Sequence, residues 1–502
     1  MNRRVSAQIG VVRVKSIRPY GISFRGVNMN QSLKFIGILF LGGSLFLAGC
    51  PDKKPTEADP QNSGDGQTEV EATLVQLAKF GGTYEKNAAG AVTAVRLGLT
   101  SPLAPPSAAE KASNPDLTVS ETSETNQAVG ALFDALNKLV DVEKLTFEGP
   151  GIADYGMTRL TDLKKVTTVH FQNANIGNAT LETMSENMPN LVDLSLNRCL
   201  LMDGSSLDII VDSENLGKIK NLNLQSNNFG SFDLIALSDM EELEQLDLRH
   251  CTKLDSSALR YIADIPNLKV LKLHGKAYDD KALANLAGHP TLQVLHLQDS
   301  NLTDDAMDTL ASMPALVDLT LFRLQQITND GLKKLEGSKL QRLYIRDNDN
   351  ITDEGIKVLN TMPDLARLIL YEVRSVTDEG LIAAIKGNRK LIQLALYDMR
   401  AVTDKTREAI ATTVELRTLE MQMTGQTDAT LILAAKLPKL GTLIIGDNAD
   451  FTDKGLESLG TSKSLKRIEI RNMIGFSNEG IKNFQEKHPQ ITVTNRPTGG
   501  VD

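Results

Sequence analysis

The 502-residue chain has no tryptophan, three cysteines and few aromatic residues, which make up 4% of its length. The odd, sparse set of Cys50, Cys199 and Cys251 excludes a disulfide framework. The sequence also lacks a serine elbow, an HExxH sequence, a phosphate-binding glycine loop and a paired CxxC. We therefore expect no metal, no cofactor and no catalytic activity, since none of these motifs supplies a candidate catalytic residue.

Positive charge is scarce beyond the N-terminus. The first 49 residues contain seven Lys or Arg and no Asp or Glu, which leaves 47 basic against 63 acidic residues in the rest of the chain. A body this acidic lacks the basic footprint that nucleic-acid binding needs, so we expect no nucleic-acid partner. The overall composition, 41% hydrophobic and 23% charged, is that of a soluble folded protein.

One apolar run, from Phe35 to Leu47, is too short and too rich in glycine for a comfortable transmembrane helix. A lysine precedes it and Leu47-Ala48-Gly49-Cys50 ends it. This arrangement resembles a bacterial lipoprotein signal, in which the cysteine is lipidated and becomes the new N-terminus. A plain secretory signal and a short anchor are the alternatives. Met29 alone would open a signal of normal length, which makes it an alternative start.

The lipoprotein resemblance implies a protein of the cell envelope, held on the periplasmic or surface face of a membrane through lipidated Cys50. The residues that follow, 51–70, are rich in Pro, Asp, Gly and Ser and contain almost nothing apolar. Such a segment cannot bury enough surface to fold. As a flexible coil it would reach roughly 25 Å, enough to hold a domain clear of the membrane.

The segment from 71 to 97 combines a helical apolar spacing, a Gly-Gly break and a strand-like run, as an atypical first repeat would. The next segment is rich in Pro, Ser and Glu, and we expect it to form a loose loop. The predicted organisation is a signal peptide region at 1–49, a flexible linker at 50–70, an N-terminal capping repeat at 71–139 with an insertion at 100–125, a repeat array at 140–495 and a tail at 496–502.

Most of the chain repeats one pattern. Fifteen strand-like centres recur at a mean spacing of about 24.9 residues, and thirteen of the fourteen intervals are 24 to 26 residues long. Random apolar clusters would not keep this spacing, so the repeat is the strongest signal in the sequence. The centres are Leu145, Val169, Leu194, Leu222, Leu246, Leu271, Leu295, Leu319, Leu343, Leu368, Leu394, Leu419, Leu443, Ile468 and Val493.

Each unit predicts one strand followed by one helix. Alternating apolar residues, such as Leu343 and Ile345, indicate a strand with leucines pointing inward. A Thr-Asp pair, such as Thr352-Asp353, then precedes an apolar run, which is typical of a helix N-cap. Strands stack about 4.8 Å apart while a helix is about 10 Å across, so the stack must curve. We therefore predict an α/β horseshoe with a parallel sheet on the concave face and helices on the convex face.

These units resemble leucine-rich repeats, specifically the helix-backed kind of the ribonuclease-inhibitor-like and cysteine-containing F-box groups. The resemblance covers about residues 140–495, and the Ile-Thr-Asp-Glu-Gly phrase at 351–355 also resembles repeats common in some environmental bacteria. It implies a protein-binding scaffold and brings no catalytic residues. The sequence has no recognisable F-box segment upstream, so a role in ubiquitin ligation is not supported.

The residues between the inward leucines line the concave face in columns that rise one strand per repeat. Tyr and Arg dominate binding hot spots, and the chain has only 22 Tyr and Phe, so a cluster of these types predicts a contact surface. A basic, aromatic cluster would suit an anionic or peptide ligand. The alternative is a ladder that stabilises the sheet by stacking and cation–π contact. This concave patch comprises Phe322, Arg342, Tyr344, Arg346, Arg367, Tyr371 and Tyr397.

Four histidines fall near the same face. His274 and His296 lie on adjacent predicted strands, with His250 and His170 nearby. A metal site needs three or four convergent ligands, which columns of different register do not supply. We therefore interpret these histidines as solvated surface residues and predict no metal site.

The sequence predicts a non-catalytic lipoprotein at the bacterial cell envelope that binds a protein, peptide or polymer through its concave face. A structural envelope protein that assembles through its repeats is the main alternative. A hydrolase with its site in the 100–125 insertion or on the concave face is the third.

Overall fold

The computed structural model describes residues 64–472 and 474–496. The predicted signal region, Cys50 and the first part of the predicted linker lie outside the described residues. No helix within the described ranges is both long enough and apolar enough to cross a membrane. The strands are β1 Thr83–Lys86, β2 Val92–Gly98, β3 Lys144–Glu148, β4 Thr168–Gln172, β5 Asp193–Asn197, β6 Asn221–Asn223, β7 Gln245–Asp247, β8 Val270–His274, β9 Val294–Gln298, β10 Asp318–Phe322, β11 Arg342–Arg346, β12 Arg367–Tyr371, β13 Gln393–Thr403, β14 Thr418–Gly425, β15 Thr442–Gly446, β16 Arg467–Arg471 and β17 Thr492–Arg496.

Short helices alternate with these strands. The α-helices are α1 Gly64–Lys79, α2 Ala108–Ser113, α3 Glu124–Leu136, α4 Asp154–Met157, α5 Asn178–Asn187, α6 Gly204–Asp212, α7 Ala258–Ile262, α8 Asp280–Leu283, α9 Ala306–Ser312, α10 Asn329–Lys333, α11 Asp353–Ile356, α12 Asp378–Ile385, α13 Arg407–Ala411, α14 Asp428–Ala434, α15 Asp453–Leu459 and α16 Asn478–Lys487. Turns of 3₁₀ helix occupy Leu216–Lys218, Ser231–Asp239, Ala284–Leu286, Lys357–Thr361 and Asp404–Thr406.

One sheet contains all the strands. β1 and β2 form an antiparallel hairpin, and from β2 to β17 each strand pairs in parallel with the next one along the chain. The fifteen predicted strand centres face one another in a single row, from Leu145 to Val493. All of them except the last are at most 2% exposed, because their side chains point under the sheet towards the helices. The predicted solenoid of strand–helix units is confirmed.

The threonine of the Thr-Asp pair begins the helix, as predicted. The hydroxyl of Thr377 accepts the N–H of Glu379 at 3.3 Å, which satisfies one backbone donor of the first turn. The same cap is present at Thr328, Thr352, Thr403, Thr452 and Ser477. The N-cap threonine or serine therefore marks where each of these helices begins.

The aspartate of the pair has a second role that the sequence did not reveal. The carboxylate of Asp353 accepts both the backbone N–H and the hydroxyl of Thr377 in the next unit, each at 2.7 Å. We call this repeated arrangement the Asp–Thr ladder. Its steps are Asp280–Thr303, Asp304–Thr328, Asn329–Thr352, Asp353–Thr377, Asp378–Thr403, Asp404–Thr427, Asp428–Thr452 and Asp453–Ser477.

The glycine two residues after the aspartate makes room for this ladder. A Cβ at Gly380 would overlap the Asp353 side chain and backbone. Gly331, Gly455 and Gly480 stand in the same relation to the ladder aspartates of the preceding units. In the Thr-Asp-x-Gly sequence, the threonine therefore caps its helix and the aspartate binds the next unit. The glycine leaves room for the aspartate of the previous unit.

A helix and a hairpin cover the first repeat. Leu74 and Leu77 of α1 enter the core, and Val70 packs against it one turn earlier. This apolar spacing continues the helix upstream, so α1 begins at Gly64 and residues 64–70 are not part of a linker as predicted. At the other end of the array, β17 extends to Arg496, one residue beyond the predicted boundary.

The insertion at 100–125 is a loop, as expected, but it contains the short helix α2 and side-chain hydrogen bonds join its parts. The Glu110 carboxylate in α2 accepts the backbone N–H groups of Ser107, Glu121 and Thr122 at 2.7, 2.9 and 3.0 Å. Asn126 exchanges two hydrogen bonds with the backbone of Ala104, each of 3.0 Å. Polar side chains organise this segment, which explains why its composition, poor in apolar residues, suggested disorder.

At or near the end of most concave strands one residue adopts a left-handed backbone conformation. Among the described residues, twelve other than glycine have φ between 45° and 61°, among them Glu372 and Asp398. The buried Asn348 supports such a turn by donating to the backbone oxygens of Leu324 and Ile327 at 2.8 and 3.1 Å. Cys199 and Cys251 are buried free thiols.

Candidate binding surface

The structure brings the seven predicted patch residues together on four adjacent strands. Phe322, Arg346, Tyr371 and Tyr397 are neighbours in one column across β10 to β13. Arg342 faces Arg367 in a second column, and Tyr344 lies between these two columns. The register that placed the leucines under the sheet therefore also placed the patch on its exposed face.

The aromatic rings of the patch contact one another. The centroids of Tyr344 and Tyr371 are 5.4 Å apart, and so are those of Tyr371 and Tyr397. The Arg346 guanidinium lies 4.7 Å from the centroid of Phe322. These distances fit edge-to-face and cation–π contacts, so the stabilising ladder proposed as the alternative exists within the patch.

Two of the three patch arginines are neutralised by carboxylates that the sequence analysis overlooked. Arg342 pairs with Asp318 at 2.7 Å, and Arg346 pairs with Glu372 at 3.2 Å. Asp318 occupies the same column as Arg342 one strand earlier, so reading that column in full would have found it. Arg367 differs, because it is exposed and has no ion pair within the described residues. The patch is therefore not basic as a whole, and its free positive charge is concentrated at Arg367.

A buried carboxylate supports the tyrosines from β14. Glu420 is 5% exposed, and its Oε1 accepts the Tyr371 hydroxyl at 2.9 Å and the side-chain amide of Gln422. The Arg471 guanidinium lies 3.6 Å from it. Burial raises the pKa of Glu420 despite these donors. Burial, with the Glu420 charge adding to it, also raises the pKa of Tyr371, so this phenol stays protonated and keeps donating.

The four histidines lie at the surface, His250 exposed and the other three half-buried, and three of them also contact neighbouring side chains. His274 pairs with Asp299 at 2.9 Å, and its ring centroid is 4.0 Å from that of His250. His170 pairs with Asp193 at 3.1 Å. Burial lowers the pKa of His296 to about 4, so that side chain is neutral at pH 7. The described residues contain no cluster of three or more such groups arranged to hold a metal ion.

The strands before the patch carry a different surface. Gln172 on β4, Asn197 on β5 and Gln225 just after β6 follow one another in the column that later contains Phe322. A cavity of about 420 Å³ is lined by Gln172, Asn197 and the turn residues beside them. A second cavity, of about 230 Å³, lies among the β4 to β8 side chains that precede this column. The exposed face is thus aromatic and ion-paired in one half and rich in amides in the other.

One family profile and several solved structures are similar to this chain. A leucine-rich repeat family profile matches residues 288–311 and 338–359. A chain of the yeast Rad7–Elc1 complex is similar in structure, with 16% identity, a TM-score of 0.52 and coverage of 74% of this chain and 93% of that one. An internalin (inlF) of Listeria monocytogenes has 18% identity, a TM-score of 0.39 and coverages of 79% and 94%. A chain of the TLR13–ssRNA13 complex has 16% identity and a TM-score of 0.49, and the match covers 73% of this chain and 55% of that one.

No curated protein sequence matches the chain significantly. The matched units and the single parallel sheet with helices on its other side define an α/β leucine-rich repeat solenoid.

Proposed function

We propose that this chain is a non-catalytic, protein-binding leucine-rich repeat lipoprotein of the bacterial cell envelope, with helix-backed repeats of the ribonuclease-inhibitor-like or cysteine-containing kind. The concave patch is its contact surface. The observation that carries the proposal is Arg367, an exposed guanidinium beside Arg342 with no carboxylate partner in the described part of the chain.

Arg367 faces Arg342, whose charge is already paired with Asp318, and no carboxylate within the described residues pairs with Arg367 itself. Its neighbours Arg342 and Arg346 are neutralised, so the arrangement leaves one cation free next to a row of tyrosines. A partner that presents a carboxylate to Arg367 and an apolar group to Tyr397 would satisfy both. This combination of a free guanidinium and rigid aromatic rings supports a protein or peptide with an acidic group as the ligand.

The test is crosslinking and affinity capture from cell-envelope extracts with Arg367→Glu and Tyr397→Ala. These two side chains have no hydrogen-bond or ion-pair partner within the described residues, so their replacement removes none of the hydrogen bonds around Glu420, although Tyr397→Ala removes a ring contact with Tyr371. We expect both variants to lose the partner that the wild type captures. Arg260→Glu and Tyr84→Ala change exposed residues outside the patch and serve as matched controls.

A partner retained by both patch variants would show that the concave patch is not the contact surface. Loss of the partner in the control variants as well would point to general misfolding or charge effects. Circular dichroism of all four variants separates these cases, since an unchanged spectrum excludes misfolding.

The envelope location is tested at Cys50. The four-residue sequence that ends in this cysteine directly follows the apolar run, which supports lipidation there. Cells that express the wild type and Cys50→Ala are fed a labelled fatty acid. We expect label on the wild type alone, and label on the Cys50→Ala protein would refute the assignment.

A further inference from the structure

The amide-rich half of the exposed face contains polar groups that the fold does not use. Gln172, Asn197 and Gln225 make no side-chain hydrogen bond within the described ranges, although they stand on consecutive units. In the patch half, by contrast, Arg342, Arg346 and Tyr371 each bind a carboxylate of the same chain. A row of carboxamides that stabilises nothing in the protein itself is free to bind a ligand.

Most charged side chains beside this row are paired, but Arg198, which lines the cavity of about 420 Å³, is exposed and has no ion pair within the described residues. Asp193 accepts from His170 at 3.1 Å and from Asn221 at 3.4 Å, and Asp247 is held by Arg249 at 2.7 Å. Apart from the Arg198 guanidinium, the remaining hydrogen-bonding groups of the two cavities are mainly uncharged amides and hydroxyls, such as those of Asn197 and Ser226. Each carboxamide offers both donors and acceptors, as a sugar hydroxyl does.

The spacing of the row selects among ligands. Consecutive strands of a parallel sheet lie about 4.8 Å apart, whereas an extended peptide advances about 3.3 Å per residue. A peptide laid along the column would fall out of step with the amides after one or two residues. A linear chain of pyranose rings linked across the ring advances by nearly one strand spacing per ring, so it can offer a hydroxyl to every amide in turn.

We propose that the face formed by β4, β5 and β6 binds a linear glycan through Gln172, Asn197 and Gln225. The glycan runs along the solenoid axis, with one ring above each of these amides. The cavity of about 420 Å³ beside the row accommodates the substituents of the rings. This assignment does not rest on the protein-binding patch, which occupies other strands.

Binding is measured by titration calorimetry of the intact chain with a soluble cello-oligosaccharide and a soluble chito-oligosaccharide. The test variants are Gln172→Ala, Asn197→Ala, Gln225→Ala and the triple combination. Loss of one ligand hydrogen bond weakens binding about two- to tenfold, so we expect the triple variant to lose binding of at least one sugar almost completely. Asn360→Ala and Asn483→Ala remove exposed carboxamides from helical segments and are the matched controls.

Equal affinity of the triple variant and the wild type for the sugar would overturn the proposal. So would the absence of any binding of either sugar by the wild type, or preferential binding of an extended peptide that the triple variant abolishes. Because Arg367→Glu leaves this row untouched, loss of the protein partner with sugar binding intact separates a failure here from a failure of the patch.

Discussion

The Asp–Thr ladder shows how one side chain can serve two units. The aspartate satisfies the backbone donor and the hydroxyl of the following threonine, while that hydroxyl also caps its own helix. Asn329 takes the place of the aspartate at one step and keeps both contacts with Thr352. Its side-chain oxygen accepts the Thr352 N–H, and its amide nitrogen donates to the Thr352 hydroxyl at 2.9 Å. A ladder position therefore needs an acceptor for the N–H above all.

Asp378→Ala is expected to destabilise the protein. It leaves the Thr403 N–H and hydroxyl without their partner, a loss of about 1–3 kcal/mol when the groups remain shielded from water. Chemical denaturation followed by circular dichroism measures the change. Asp378→Asn is the control, since Asn329 performs this task naturally, and it should retain most of the stability. Equal stability of wild type and Asp378→Ala would contradict a structural role for the ladder.

The buried Glu420 gives the patch a predictable pH dependence. Burial raises its pKa in the folded protein above the unfolded value of about 4.5, so the folded state holds its proton more tightly. Stability from this group is therefore complete below about pH 4.5 and is lost as the pH rises through the folded pKa. We expect Glu420→Gln to gain stability relative to the wild type as the pH rises above about 4.5, measured as the denaturation midpoint at each pH.

Asp299→Asn is expected to change stability with pH in the opposite direction. The hydrogen bond from Arg323 lowers the pKa of Asp299 to about 2, so its contribution is present above about pH 4 and is lost as the pH falls towards 2. This variant should be less stable than the wild type at neutral pH and should approach it in acid. If both variants shifted in the same direction with pH, the assigned environments would be wrong.

At the scale of elements, sequence periodicity predicted the strands well because each one places Leu or another apolar residue in the same buried row. It did not predict the insertion or the upstream half of α1, which follow no repeat. Contacts such as Glu110 with the backbone of Thr122 join residues twelve positions apart without an apolar signal. The patch residues follow from their positions in successive strands. The carboxylates that neutralise Arg342 and Arg346 lie elsewhere, Asp318 on the preceding strand and Glu372 in the turn after β12.

Glu110→Ala should loosen the insertion without affecting the array. The carboxylate holds three backbone N–H groups and the Ser120 hydroxyl, and these hydrogen bonds lower its pKa. Limited proteolysis should therefore cut within 100–125 faster in this variant, while the far-UV spectrum stays the same. Glu124→Ala in the first turn of α3 removes a carboxylate of the same type and should not accelerate cleavage. Identical cleavage in Glu110→Ala and wild type would mean that other contacts order the segment.

Across the whole repeat array, each unit contacts mainly its two neighbours, since β2 to β17 pair only in sequence order within the described residues. Stability in such an array is close to a sum of unit and interface contributions. A defect should therefore spread to adjacent units and fade with distance along the array. Its consequences also depend on whether the unit has one neighbour or two.

Leu343→Ala and Phe484→Ala test this dependence on position. Leu343 is fully buried in β11 in the middle of the array, and Phe484 is 1% exposed in the last helix, α16. Each truncation removes about 2–5 kcal/mol of core packing. Hydrogen exchange should accelerate on both sides of β11 in the first variant, because β10 and β12 are the two strands that pair with β11. In the second variant it should accelerate only from β16 onwards. Uniform acceleration over the entire array in both variants would instead mean that the units unfold as one cooperative block, and the nearest-neighbour account of this solenoid would fail.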